Sequence, residues 1–130
     1  MDEINPPVLS IPGISYRMGA MIIAEIGDFN RFSSPSKILA FAGLSPSTYQ
    51  SGKLENSHPR MEKRGSKYLR YALFNAAAYV CLWEPTFKAY LAKKRSEGKH
   101  YYVALSHAAR KLVRVIYKLE KTGQRYQDTI

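Results

Sequence analysis

Residues 66–83 read SKYLRYALFNAAAYVCLW, and within them Leu69, Ala72, Leu73, Ala76 and Val80 recur at spacings of three and four. That interval stacks side chains along one face of an α-helix, so the stretch predicts an amphipathic helix beginning after Gly65-Ser66 and running to Trp83. The chain after it keeps the same period. Pro85 is placed to open a second helix that reaches about Lys94 and ends before Gly98. A third runs from about Tyr101 to Lys121, with Ala104, Leu105, Ala108, Leu112, Val115, Ile116 and Leu119 on one side.

Working back from Ser66, residues Leu44 to Arg64 hold Pro46, Gly52 and Pro59 among Ser, Thr, Asn and Lys. Such a mixture breaks any continuous helix and marks an irregular basic loop with room for a short hairpin. Before it, Ser33-Ser34-Pro35 sets a capping hydroxyl ahead of a proline suited to a first helical position. A short helix is expected from about Pro35 to Ala42, closed by Gly43. Further back, Pro12-Gly13 separates two apolar stretches, and a helical run from Met18 to Ile26 is followed by Gly27. This resembles a helix-hairpin-helix unit. The expected fold is therefore all-α: a helix-hairpin-helix-like N-terminal unit, an irregular basic loop, then three longer helices. Residues 1–7, with Pro6-Pro7, read as an arm or linker remnant, 8–122 as a single domain and 123–130 as a tail. At 130 residues and 45% hydrophobic content, one compact core is the expectation.

Charge narrows the class of partner. Lys and Arg number 20 against 10 Asp and Glu, a net charge of +10. The excess is one-sided: residues 1–52 hold three cations (Arg17, Arg31, Lys37) and four acids, whereas residues 53–130 hold 17 cations and six acids. A polyanion is the natural partner of such a surface, and a plain solubility charge or a ribosomal association is the alternative. One cysteine, Cys81, excludes an internal disulfide framework and suits a buried thiol in a reducing compartment. No stretch approaches the roughly 20 apolar residues of a membrane span, and MDEINPP lacks the basic and apolar regions of a signal peptide. A soluble cytoplasmic protein is expected.

Three features are candidates for function. The Pro12-Gly13-Ile14 turn would let a backbone approach a phosphate at a helix N-terminus, or it would simply form a tight corner between helices. The run SGKLENSHPRMEKRGSKYLR, residues 51–70, concentrates Lys53, Arg60, Lys63, Arg64, Lys67 and Arg70. Tyr68 and Tyr71 are interleaved for stacking. A solvated basic face is the other reading. On the last helix His107, Lys111, Arg114 and Lys118 recur at fours and threes, forming a cationic ridge for DNA or an ordinary amphipathic surface. The histidines His58, His100 and His107 do not cluster with cysteines or acids at metal-binding spacing, no paired carboxylates stand out, and no Walker-type loop is present. A self-sufficient metallonuclease is not expected.

Taken in order, IPGI (11–14), AEIGDFNRF (24–32), SSPSKILAFAGLSPSTYQSGK (33–53) and KRGSKYLRYALFNAA (63–77) resemble the C-terminal domain of insertion-sequence transposases of the one-ten (also one-sixteen and nine-oh-two) family. The match extends from about Leu9 to Ala78. The resemblance implies the serine-bearing half of a bacterial, nucleoid-associated DNA recombinase whose other half is a RuvC-like N-terminal domain, absent here. That domain would carry acidic ligands for magnesium, so no cofactor is expected in the present one. Carried over residue by residue, the family's nucleophile falls on Ser51, between Gln50 and Gly52, with Tyr49 as the nearest rival. The implied partners are DNA, a structured guide RNA, the RuvC-like domain and further copies in a homo-oligomer, with no membrane. One departure is visible: the family's hairpin usually reads P-G-I-G, whereas this chain has P-G-I-S with Ser15. A side chain there fits if its φ is negative, and its hydroxyl would then cap the next helix. Two other readings stay open: a non-catalytic nucleic-acid-binding module resting on Gly13 and the Lys53–Arg70 cluster, and an assembly domain resting on exposed Trp83, Phe87, Tyr90 and Tyr101.

Overall fold

The computed structural model describes residues 6–44 and 63–126, and every regular element among them is helical. A 3-10 helix, Pro7–Ser10, precedes α1 (Tyr16–Ile26). A second 3-10 turn, Phe29–Arg31, leads into α2 (Pro35–Ala42). After the loop come α3 (Lys63–Trp83), α4 (Pro85–Ser96) and α5 (Tyr101–Thr122). The all-α expectation holds, and the three longer helices lie where their periodicity put them. The start of α3 differs, since it begins at Lys63 and takes Gly65 into its first turn instead of following it. The first-turn N–H groups have no intrahelical partner in any case, so a glycine there forfeits little.

Helix α3 is the centre of the packing, in contact with α1, α2, α4 and α5. Its Leu69, Ala72, Leu73, Ala76, Ala77 and Val80 are all buried, as are Ala104, Leu105, Ala108, Ala109, Leu112 and Ile116 of α5. The alanines on both helices keep their facing surfaces low. Bulk comes from Ile22 and Ile26 of α1 and Ile38 and Leu39 of α2, each contributing about 1.5–3 kcal/mol when fully buried. Cys81 lies buried in α3, where desolvation first and the nearby Glu84 charge second push its thiol up to about 11. It is therefore a packing group and not a reactive one.

The capping hydroxyl expected ahead of Pro35 does not form its bond: Ser34 is the N-cap residue of α2, but its side chain makes no cap hydrogen bond. Carboxylates do cap other helix starts. Asp28 accepts from the Asn30 N–H at 2.9 Å, Glu84 Oε1 accepts from the Phe87 N–H at 2.8 Å, and Pro35 and Pro85 begin α2 and α4. Gly43 closes α2 in the left-handed conformation, φ 77°. Ser15 has φ −79°, and its Oγ accepts from the Met18 N–H at 3.2 Å. The residue that departs from P-G-I-G is thus the N-cap of α1.

Among the described residues, a single 3-10 helix stands on the upstream side of the Pro12-Gly13 turn. The turn lies against α3: a Cβ on Gly13, whose φ is 102°, would sit 2.7 Å from the Tyr79 carbonyl oxygen and 2.7 Å from the Val80 Cα. Packing of backbone on backbone therefore requires a glycine at this position. The first described residues are also tied to the last. The Val8 N–H donates to Glu120 Oε2 at 3.0 Å, and the Tyr126 N–H donates to Ser10 Oγ at 2.7 Å. Tyr117 adds a hydroxyl bond to the Phe32 carbonyl at 2.9 Å. Burial raises the Glu120 carboxyl above its ordinary range, and the Val8 bond opposes the shift.

Candidate nucleic-acid interface

At the start of α3 the exposed positions alternate between cations and aromatics: Lys67, Tyr68, Arg70 and Tyr71. The Lys67 ammonium lies 5.8 Å from the Tyr68 ring centroid. Arg70 leans toward the end of α2, close enough that a Cβ on Gly43 would lie 3.7 Å from its Nη1. There it meets the negative end of that helix's dipole. Lys63 and Arg64 open the same helix, but their side chains lie outside the described residues, as do Ser51, Lys53 and Arg60 altogether. Lys67 and Arg70 are thus the members of the predicted basic cluster whose placement is described, and they share the first turns of one helix.

The ridge expected on α5 is divided. Arg114 and Lys118 are exposed, whereas Lys111 is half-buried, its Nζ 5.1 Å from the Tyr90 ring and 5.7 Å from the Phe87 ring of α4. It braces α4 against α5 through two cation–π contacts. Phe87 is only 1% exposed and Tyr90 is half-buried, which corrects the expectation that both would offer an apolar docking surface; Trp83 and Tyr101 do remain exposed. Phe87 belongs to the buried core, and the Lys111 ammonium lies over its ring.

A second group of cations forms where α4 ends and α5 passes it. His107 Nδ1 lies 2.9 Å from Arg110 Nη2; a guanidinium only donates, so the imidazole accepts at Nδ1. Burial first, then the charges of Arg110, Lys94 and Lys99, hold His107 below its ordinary value of 6.5, with Glu97 opposing. Glu97 is engaged by Lys94 at 3.7 Å and Lys99 at 3.9 Å. The segment KKRSEGKH, residues 93–100, carries most of this charge, and no spacing along one helix marks it as part of a cluster. Its cations meet Arg110 and His107 only when α4 folds against α5.

This arrangement gives His107 a defined effect on stability. Its folded pKa is below its unfolded one, so below about pH 6.5 the unfolded chain binds the extra proton first and stability falls as pH falls. His107→Gln is expected to flatten that decline. The difference in melting temperature between the two proteins should be constant from pH 8 to 7 and close steadily between about pH 6.5 and 5. Parallel curves over the whole range would show that folding does not lower the proton affinity of His107.

The protein-family profile described as "Transposase IS116/IS110/IS902 family" matches residues 5–92. The chain belongs to the IS116/IS110/IS902 transposase family. It is 28% identical over 127 residues to the insertion element IS110 43.6 kDa protein of Streptomyces coelicolor, covering 96% of this chain and 31% of that relative. It is 28% identical over 122 residues to the pilin gene-inverting protein of Moraxella bovis, covering 93% of this chain and 38% of that relative. Over 70 residues it is 36% identical to the transposase for insertion sequence element IS1111A of Coxiella burnetii, covering 54% of this chain and 19% of that relative. The chain spans less than two-fifths of the length of each of these proteins. In this transposase-family chain the profile takes in the Gly13 turn, Ser51 and the basic run through Arg70, and stops within α4.

No helix among the described residues is long and apolar enough to cross a membrane. No group of three or more His, Cys, Asp or Glu among them is placed to hold a metal ion.

Proposed function

We propose that this chain is the DNA-handling and strand-transfer portion of an insertion-sequence transposase or recombinase, with Ser51 as the nucleophile. The observation that carries the DNA reading is the set of exposed cations of α3, α4 and α5, Lys67, Arg70, Lys88, Lys93, Arg114 and Lys118, on a chain of net charge +10. Family membership supports the reaction class: the matching family is one of transposases, and relatives bear the names of a transposase and of a pilin gene-inverting protein.

In this reading the Ser51 hydroxyl attacks a DNA phosphorus, the deoxyribose oxygen on the far side leaves, and a phosphoserine link keeps the bond energy for rejoining. Strand exchange then needs no ATP. Gly52 leaves the phosphate room to approach, and Lys53, Arg60, Lys63 and Arg64 supply positive charge to the developing phosphorane. Magnesium, a RuvC-like domain, a structured guide RNA and assembly into a homo-oligomer belong to the proposal as features of the whole transposase. Gly13 is a further candidate phosphate contact in it, beside its packing role against α3.

Salt dependence tests the DNA reading. Each phosphate neutralised on duplex DNA releases about 0.9 counterion, so log affinity should fall linearly with log salt at a slope of several units. A titration of the chain with duplex DNA between about 50 and 200 mM salt should lose roughly 10³-fold or more if it contacts about six phosphates. A flat dependence would remove nucleic acid as the partner of this surface.

A further inference from the structure

Between α3 and α5 an open groove of about 550 Å³ is lined by Tyr71, Phe74 and Asn75 from one helix and Tyr101, Tyr102 and Leu105 from the other. Its tyrosines are not packed away: Tyr71 is 61% exposed and Tyr102 74%. Tyr101 and Tyr102 stand edge to face, centroids 5.5 Å apart, which fixes two ring planes at the mouth. On α3 the exposed positions Tyr68, Tyr71, Tyr79 and Leu82 follow one another at helical spacing through Asn75, so the groove continues an apolar stripe that starts beside Lys67. Its other rim carries Arg95, whose guanidinium carbon is 6.0 Å from the Tyr101 ring. Among the described residues no acid lines the groove.

We infer that this groove binds unpaired nucleotides, stacking their bases on Tyr71 and Tyr102 while Lys67 and Arg95 hold the flanking phosphates. The inference deepens the nucleic-acid reading above and rests on it. Two considerations select this occupant. A second copy of the chain would bring another net charge of +10 toward rims that are already cationic, whereas nucleic acid brings phosphates to them. The groove also offers flat aromatic faces, and only unpaired bases have free π-faces to meet them, since those of a duplex are covered by their neighbours. Asn75 Nδ2 donates to the Tyr71 carbonyl at 2.9 Å, which holds its amide beside the stacking ring. A carboxamide so held offers both donor and acceptor to a base edge.

The test compares labelled oligonucleotides of about 12 residues, as single-stranded DNA, single-stranded RNA and duplex DNA, by fluorescence anisotropy at one salt concentration. Tyr71→Leu/Tyr102→Leu removes the rings but keeps apolar surface; Tyr71→Phe/Tyr102→Phe keeps the rings. The leucine pair should bind single strands about tenfold or more weakly and duplex within about twofold of the parent, and the phenylalanine pair should bind both as the parent does. Whichever of DNA or RNA suffers the larger loss identifies the strand that occupies the groove. Tyr102→Leu alone, at the more exposed position, gives the same readout if the pair fails to fold. Undiminished single-strand binding by the leucine variants, with duplex binding intact, overturns this inference and leaves the DNA reading standing. So does equal loss on duplex, or a parent dimer in sedimentation that the leucine pair abolishes. Failure of the parent to bind any of the three oligonucleotides overturns both.

Discussion

In the intact transposase, Ser51→Ala is expected to abolish strand transfer, by about 10⁴-fold or more, while folding and DNA affinity stay close to the parent's. The substitution removes one hydroxyl and no charge, so it leaves the electrostatic attraction for phosphate untouched while deleting the atom that would bond to phosphorus. Denaturing mass spectrometry of trapped intermediates should find DNA on the Ser51 peptide in the parent and none in the variant. Tyr49→Phe is the necessary control, because a phenol two residues away is also a competent phosphodiester nucleophile. An adduct on Tyr49, or normal recombination by Ser51→Ala, would overturn the serine mechanism and bring forward the reading of the chain as a binding module.

Gly13→Ala should have the largest effect on stability. Its φ of 102° is strained for any residue with a Cβ, and that carbon would meet backbone of α3, the Tyr79 carbonyl and the Val80 Cα, instead of a side chain able to swing away. A loss of about 3 kcal/mol or more is expected, lowering the melting temperature by about 10 °C or more in circular dichroism. The same variant separates the two readings of the turn. If Gly13 served phosphate approach alone, the melt would be unchanged and only DNA affinity would drop.

The helices were legible because their evidence is local. Leu69, Ala72, Leu73, Ala76 and Val80 declare a helix face by spacing alone, and all five are buried. Proline at 35 and 85 and glycine at 27 and 43 punctuate as their backbone preferences require. What spacing cannot supply is the identity of the neighbour. Lys111 shares a period with Arg114 and Lys118, but α4 crosses beside it, so its ammonium faces Phe87 and Tyr90. Phe87 and Tyr90 turn away from the surface for the complementary reason, since α5 lies beside them. The cluster of Lys94, Lys99, Arg110 and His107 draws on two helices, and a reading along one helix at a time passes over it. Gly13 did carry a signal, yet its reason lies some 65 residues away in α3. Ser51 rests on resemblance and lies outside the described residues.

The bonds from Val8 to Glu120 and from Tyr126 to Ser10 join residues 112 and 116 positions apart. Closing so long a loop costs entropy that nothing repays until both ends are in place. In a nascent chain the segment Val8 to Ile14 can meet α1 and α3 beforehand, but its polar ties to Glu120 and Tyr126 wait until α5 has been made. Completion of the domain therefore waits on its last helix, a consequence of contacts so distant in sequence.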